Sequence, residues 1–350
     1  MGYEELAEML LLDGCLLLFA IFLLRTSVRE DQRPAQLARD AEQGEEFGYL
    51  SADILLHKKQ TRLDLLMLGN QIPFFVLAEL HKRLKGTFFQ GVEPGIKRLA
   101  LSCFDAIHPH PSGSVKQEEA AGTIRFPAVH HLLHLFHWSR VPKGKHKLND
   151  FSFLDAEPES QLPCAAWFEE SQTSFSKPGP GSSSLDIVFQ RKMLGAHGVM
   201  RVPALHIHDY SDSVFRSLIA FEQSHQRCGL AVTAYSICMA RLLQTEADAK
   251  LLRKSGILAH AHRTDKEIVD LFSGLADEYS NTFYSKDLVD LCKEVAAHHD
   301  SAVARAVKWV GLQCFPRQSI TFFVIFGALI SIATLINTGY SVHRFYYPVK

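Results

Sequence analysis

The sequence has almost no net charge: 37 Lys and Arg against 38 Asp and Glu leave −1 over 350 residues. A chain without a basic excess has no electrostatic footprint for nucleic acid, and none is expected as a partner. Paired cysteines are also missing. The seven cysteines, Cys15, Cys103, Cys164, Cys228, Cys238, Cys292 and Cys314, stand singly and without any CxxC. That argues against a disulfide framework and for reducing surroundings, with each cysteine read as a small apolar side chain. The common catalytic loops are absent too. There is no GxxxxGK[ST] phosphate loop, no GxGxxG after a strand, no GxSxG elbow and no HExxH. These absences remove P-loop NTPases, dinucleotide oxidoreductases, α/β-hydrolases and zincin-type proteases.

What is present is apolar and helical. The chain is 47% hydrophobic and 21% charged, enough apolar material for one large domain or two small ones. Two apolar runs raise the question of a membrane. The first, 9–24 (MLLLDGCLLLFAIFLL), follows Glu4, Glu5 and Glu8, where a secretory signal needs positive charge, and Asp13 and Gly14 interrupt it. It reads as a core helix. The second, 320–336 (ITFFVIFGALISIATLI), carries no charge and is flanked by Arg317, His343 and Arg344 and by Tyr340, Phe345, Tyr346 and Tyr347. With Ser319 and Asn337-Thr338 it approaches the ~20 residues of a spanning helix, and its flanks suit the two interfaces. It reads as a single C-terminal transmembrane helix, with the lipid bilayer as partner. Gly327 and Ser331 lie four residues apart on one face of that span, a spacing that allows a homodimer through it. Arg305, Lys308 and Arg317 before the span against Arg344 and Lys350 after it give no decisive charge bias. The unpaired cysteines and the lack of a signal favour a cytosolic globular part.

In chain order, 64–84 read as a helical turn, a break at Gly69-Asn70-Gln71 and a new helix that Pro73 opens, capped by Asn70 or Gln71. Phe74, Leu77, Leu80 and Leu84 make its apolar face, so Leu77 and Leu80 are expected in the core. A short helix over 96–107 ends at His108-Pro109-His110-Pro111. Residues 139–184 are rich in Pro, Gly, Ser, Lys and Glu and read as a flexible insert. Leu185 to Gln190 and Val199 to Ile207 read as a strand pair. Ser213 is read as the cap of the next helix, Thr264 to Glu267 as a capping box, and Gly256 as a helix stop. Ser285 is read as the cap of a long helix running to Gly311.

Few residues invite chemistry. His130, His134 and His137 share a face of the helix in VHHLLHLFHW at spacings that suit a metal, but no carboxylate completes the set. Glu222 sits in an apolar context and reads as a buried, hydrogen-bonded carboxylate. Cys228, near His225 and Arg227, is the one cysteine with electropositive neighbours. His206 with His208, His260 with His262, and His298 with His299 read as strand, loop and helix surface. No catalytic, cofactor-binding or metal-ligating residue is assigned, and no cofactor is expected.

Several blocks carry a family resemblance. DLLMLGNQIPFFVLAEL resembles the DLLLLENQIPFFVLEKL stretch of the plant-specific domain of unknown function 247, also called UPF0481, with Gly69 where the family usually has Glu. EEL-EMLLLDGC resembles its EFVEMLLLDGCFIIEL block, HLLHLFH its HLLDLLH helix, and VPALHIHDYSDSVFRSLIAFEQSH its IPPLHIDDSTESLFRNLIALEQC segment. The family's upstream VSIGPYHHG-like motif is missing, so the chain looks N-terminally shortened. The resemblance implies a terminal anchor, no established activity, and for some members, encoded at the self-incompatibility loci of grasses, a recognition role. The expected architecture is mainly α: a helical domain with a small β-strand pair and one C-terminal transmembrane helix. Its parts are an N-terminal helical portion (1–138), the insert (139–184), the strand pair and C-terminal helices of the same domain (185–314), and anchor and tail (315–350). The expected function is a non-enzymatic recognition or scaffold role at a membrane with an unknown protein partner, extending to self-recognition or signalling. The alternative is an undetected hydrolase or transferase using His, Glu222 or Cys228.

Overall fold

The computed structural model describes residues 2–26, 46–84, 95–107, 128–141, 161–171, 173–179, 185–192, 197–225, 228–260, 262–279, 286–300 and 320–346. Among the described residues the N-terminal half carries the helices α1 (Tyr3–Thr26), α2 (Glu46–Leu56), α3 (Lys58–Asp64), α4 (Phe74–Leu84), α5 (Ile96–Phe104) and α6 (Leu132–Trp138). The second half of α1 is a core helix: Leu18, Ile21 and Leu24 recur along one face and are buried, and the helix packs on α4 and α5. Its first half is different. Leu6, Met9, Leu11, Leu12 and Leu16 are exposed. Among the described residues α1 is the one helix long and apolar enough to cross a membrane, with a mean hydropathy of 2.3. Gly14 marks the change, because a side chain there would run into Leu80 of α4. Leu80 packs its tip against Gly14 but is only partly buried, whereas Leu77 is fully buried at 0% exposure. The core expectation therefore holds for Leu77 and only partly for Leu80. Leu77→Ala is expected to cost about 2–5 kcal/mol, measured by denaturant unfolding of the full chain, because a sealed site cannot fully close around the lost volume.

The C-terminal half begins inside the stretch read as a flexible insert. Residues 165–170 form α7 (Ala165–Glu170), and 173–176 form β1 (Thr173–Ser176). Both are held by the fold. The Ala166 N–H donates to the buried Asp248 carboxylate at 2.7 Å, and β1 pairs with β3 (His197–Arg201). The remainder of 142–184 lies largely outside the described residues. The expected strand pair is present as β2 (Val188–Lys192) and β3, antiparallel, but β1 makes the sheet three-stranded in the order β1-β3-β2. The second predicted strand is also split. β3 ends at Arg201, and β4 (Leu205–Ile207) leaves to pair in parallel with β5 (Leu258–His260) in a separate two-stranded sheet. Pro203 lies between them and has no N–H to continue a ladder.

The remaining helices are α8 (Ser211–Ser224), α9 (Ala231–Leu242), α10 (Glu246–Lys254), α11 (Asp265–Tyr279), α12 (Lys286–His299) and α13 (Ile320–Tyr346). Thr264 and Glu267 form the expected capping box of α11, with the Thr264 N–H and hydroxyl on the Glu267 carboxylate and the Glu267 N–H on Thr264 Oγ1. A second box, Thr245 with Asp248, opens α10 and was not anticipated. Gly256 stops α10 with φ +71°, a left-handed conformation that costs glycine little. Ser213 does not cap α8. The helix already begins at Ser211, whose Oγ accepts the His208 N–H at 2.9 Å and closes the turn. Ser285 and residues 301–319, where the long helix was expected to continue, lie outside the described residues. α8 is the joint of the molecule: it touches α6 and the turn at Leu68–Asn70 on one side and α9 and α11 on the other.

Candidate functional site

The break at 69–71 is built around Gln71. Its side-chain amide donates to the Leu65 carbonyl at 3.0 Å and the Met67 carbonyl at 2.8 Å, and its carbonyl accepts the Leu133 N–H at 2.9 Å. Gln71 therefore does not cap α4. It ties the chain leaving α3 to the first turn of α6, and the Phe74 N–H seals the junction on the His130 carbonyl at 2.6 Å. Asn70 reaches back to the Asp64 carbonyl at 3.2 Å.

Four histidines gather where this junction meets the end of α8. His131, extended at φ −160°, caps α6: its Nδ1 accepts the His134 N–H at 3.2 Å. His134 in turn accepts the His130 N–H on Nδ1 at 3.2 Å. A neutral imidazole whose Nδ1 accepts carries its proton on Nε2. His131 and His134 therefore present Nε2–H donors rather than lone pairs, and that of His134 faces the Cys228 sulfur at 3.9 Å. His225 at the end of α8 brings its ring to 5.9 Å from that of His130 and 5.8 Å from that of His131. Phe221 lies among them, within 5.3 Å of His131, His134, His137 and His225.

Burial and mutual repulsion lower the pKa of three of these rings, His131, His134 and His225. Desolvation, then the neighbouring His225 and His130, lower His131 to about 4. Desolvation and the surrounding imidazoles, His130 foremost, lower His134 to about 3. His225 is lowered by burial and by His130. Cys228 moves the other way: burial, then the Glu222 carboxylate, push its thiol up to about 11. A thiol that stays protonated at neutral pH is a poor nucleophile. Among the described residues no group of three His, Cys, Asp or Glu is arranged to hold a metal.

Beneath the cluster lies a buried pair. His137 Nε2 donates to Glu222 Oε1 at 2.7 Å, and both side chains are almost completely enclosed. Glu222 accepts three further hydrogen bonds: the Val232 N–H at 2.9 Å, the Thr233 N–H at 2.9 Å and the Thr233 hydroxyl at 2.7 Å. Val232 and Thr233 belong to the first turn of α9, whose N–H groups have no partner within their own helix. The residue before α9, Leu230, offers no capping side chain. Glu222 supplies the cap from a different helix, with the carboxylate at the favourable end of the dipole. It is the satisfied buried carboxylate that its apolar setting in the sequence suggested.

The other histidine pairs are dispersed. His208 stacks on Tyr210 at 4.9 Å, and His260 meets Asp265 at 3.1 Å beside Arg253. His262 is exposed. His298 packs on Phe189 and His299 on Trp167. His137 does not share an outer face with His130 and His134; it points into the core. Sequence reasoning missed His131 because histidine is a rare cap, and it misread Gln71 because a long amide that bridges two segments has the same local pattern as a cap. Arg227 lies outside the described residues.

A profile of the DUF247 family, described as plant protein of unknown function, matches residues 1–334. A UPF0481 protein of Arabidopsis thaliana is 22% identical over 298 residues, 79% of this chain and 55% of its own length. A putative UPF0481 protein of the same plant is 23% identical over 114 residues, 32% of this chain and 22% of its own length. The chain thus spans about half the length, or less, of the curated relatives it matches. No solved structure matches.

Proposed function

The chain belongs to the plant DUF247 family, whose function is unknown, and from that premise we propose that it is a membrane-tethered, non-enzymatic recognition or scaffold protein. What carries the non-catalytic reading is the state of the groups at the candidate site. The Glu222 carboxylate already accepts four donors, and the Cys228 thiol is held protonated. Neither is poised to attack a substrate or to take its proton. The tether is α13. Its side chains from Phe326 to Thr338 are exposed, and an exposed run of Phe326, Leu329, Ile330, Leu335 and Ile336 suits lipid better than water. Three of its hydroxyls are satisfied within the helix: Ser331 donates to the Gly327 carbonyl, Thr334 to that of Ile330 and Thr338 to that of Thr334, at 2.8–2.9 Å. A helix in hydrocarbon needs that, since no water is there to take its polar groups. In this reading the folded domain faces the cytosol and a second copy of the chain is a partner along Gly327 and Ser331.

Deleting everything after Phe315 is expected to move the protein from the membrane fraction to the soluble fraction after carbonate washing. If the shortened and full chains both remain with membranes, the tether is not α13, and the exposed first half of α1 becomes the segment to test.

A further inference from the structure

The histidine cluster opens onto a notch of about 450 Å³ between the Gln71 junction and the end of α8. One wall is apolar: Ile72, Pro73, Phe75 and Val129 line it, and Phe75 is 72% exposed, unusual for so large an apolar ring. The opposite wall is made of His130, His131 and His225. Among the described residues no acidic side chain lines the space, and Gln71, at its edge, has its amide committed to Leu65, Met67 and Leu133. The wall offers a donor of fixed orientation. His131 carries its proton on Nε2 because Nδ1 caps α6, and that Nε2–H makes no hydrogen bond among the described residues. His225 contacts the Ser224 hydroxyl through Nδ1 at 3.0 Å, which leaves Nε2 as its other polar atom.

We propose that this notch binds a small organic acid as its carboxylate, with the carboxylate on the imidazoles of His131 and His225, the apolar body over Ile72, Pro73, Phe75 and Val129, and a proton taken up on binding. A volume of this size suits a small molecule, and apolar walls with a few convergent polar groups are the usual make-up of such sites. The chemistry selects a monoanion. Without a Lys or Arg among the described lining residues, the site meets one negative charge by protonating one ring; a phosphate dianion would keep an unmatched charge. The titratable groups facing the notch and its floor are few. The strand of chain before α6 and α6 itself supply His130, His131, His134 and His137; α8 supplies His225 and Glu222; Cys228 follows α8; the 71–75 segment supplies none. Glu222 is already paired with His137 and α9, so among the described residues the cluster lacks a resident counter-ion. Empty, its rings repel one another's protons. A bound carboxylate reverses that preference. The inference does not rest on membrane attachment, and its test leaves the tether untouched.

The test titrates the full-length protein in detergent with phenylacetate, phenylacetamide and inorganic phosphate. Calorimetry in two buffers of different ionisation enthalpy reads proton uptake, and tryptophan fluorescence confirms the fold at each pH. Phenylacetate is expected to bind roughly tenfold or more tightly at about pH 5.5 than at about pH 7.5, with net proton uptake, because one linked proton changes affinity up to about tenfold per pH unit. Phenylacetamide and phosphate are expected to bind at least about tenfold more weakly, lacking the charge and the apolar body respectively. His225→Phe should weaken phenylacetate binding and flatten its pH dependence, whereas His208→Phe, an imidazole removed elsewhere, should change neither. Nitrogen NMR of histidine-labelled parent protein gives a reading that needs no variant: an imidazole must pass from neutral to protonated as phenylacetate is added. Equal binding of the amide, pH-independent affinity, phosphate binding as tight as phenylacetate, no imidazole protonation, or an unaffected His225→Phe protein would each overturn the proposal.

Discussion

Glu222→Ala is expected to destabilise the protein by about 3–5 kcal/mol, the range for breaking a buried ionic or hydrogen-bonded pair by removing one partner. The change strands four donors at once: His137 Nε2, the Val232 and Thr233 N–H groups and the Thr233 hydroxyl. Each stranded buried donor carries a desolvation cost of about 1–3 kcal/mol, part of which relaxation recovers. Glu222→Gln fills the same volume but turns one acceptor oxygen into an NH2 that faces donors. It should lose about 2 kcal/mol or more, still well beyond an ordinary surface change. Urea unfolding of the full chain and its variants supplies the comparison. A loss below about 1 kcal/mol for the alanine variant would mean that the pair is hydrated rather than enclosed. A double-mutant cycle with His137→Ala and Thr233→Val should show strong coupling, because both side chains donate to the one Glu222 carboxylate.

The second large effect is loss of stability in mild acid. His131 and His134 are neutral in the folded protein, with pKa values lowered to about 4 and about 3, and in the unfolded chain each returns to about 6.5. Below about pH 6.5 the unfolded state therefore binds more protons than the native state, and stability falls as pH falls. The decline begins near the unfolded value and runs down to the folded ones. Each such ring contributes a slope of up to about 1.4 kcal/mol per pH unit in that window. Chemical denaturation at successive pH values between about 7.5 and 4 reads the slope directly. His131→Asn keeps an acceptor for the His134 N–H while removing a titrating ring. It should flatten the profile, with little effect at neutral pH if the amide takes over the cap. An unchanged slope would place the acid sensitivity elsewhere.

How much of this was legible beforehand depends on the range of the interaction. The capping box at Thr264 and the stop at Gly256 are local, fixed by residues within four positions of one another, and the sequence displays them directly; the helical break at 69–71 is visible too, although the Gln71 side chain that holds it reaches Leu65 and Leu133. The mainly helical fold follows from apolar periodicity and family blocks. The elements that sequence reasoning misplaced are those decided by distant partners. β1 and α7 were hidden in a polar stretch because their support comes from β3 and from Asp248, 82 residues beyond Ala166. The strand expected over 199–207 divides because its two ends join different sheets around Pro203. At the site, Glu222 was recognisable as a satisfied carboxylate, but its partners were not, since Leu230 gives no hint that α9 borrows its cap. His131 was overlooked beside the more regular spacing of His130, His134 and His137.

The distance along the chain between His137 and Glu222 also has a consequence in time. The two are 85 residues apart, and a ribosome adding about 5–20 residues per second needs roughly 4–17 s to cover that interval. During that time the nascent N-terminal half holds α6 against α5, with Phe136 on Phe104, but without α8, so that His137 lacks its carboxylate partner. α9 cannot be capped until α8 has arrived, and α8 has no seat until α6 is formed. Until then the half-made protein exposes surface that α8 later covers, and a pause in translation anywhere between residues 138 and 222 prolongs that exposure.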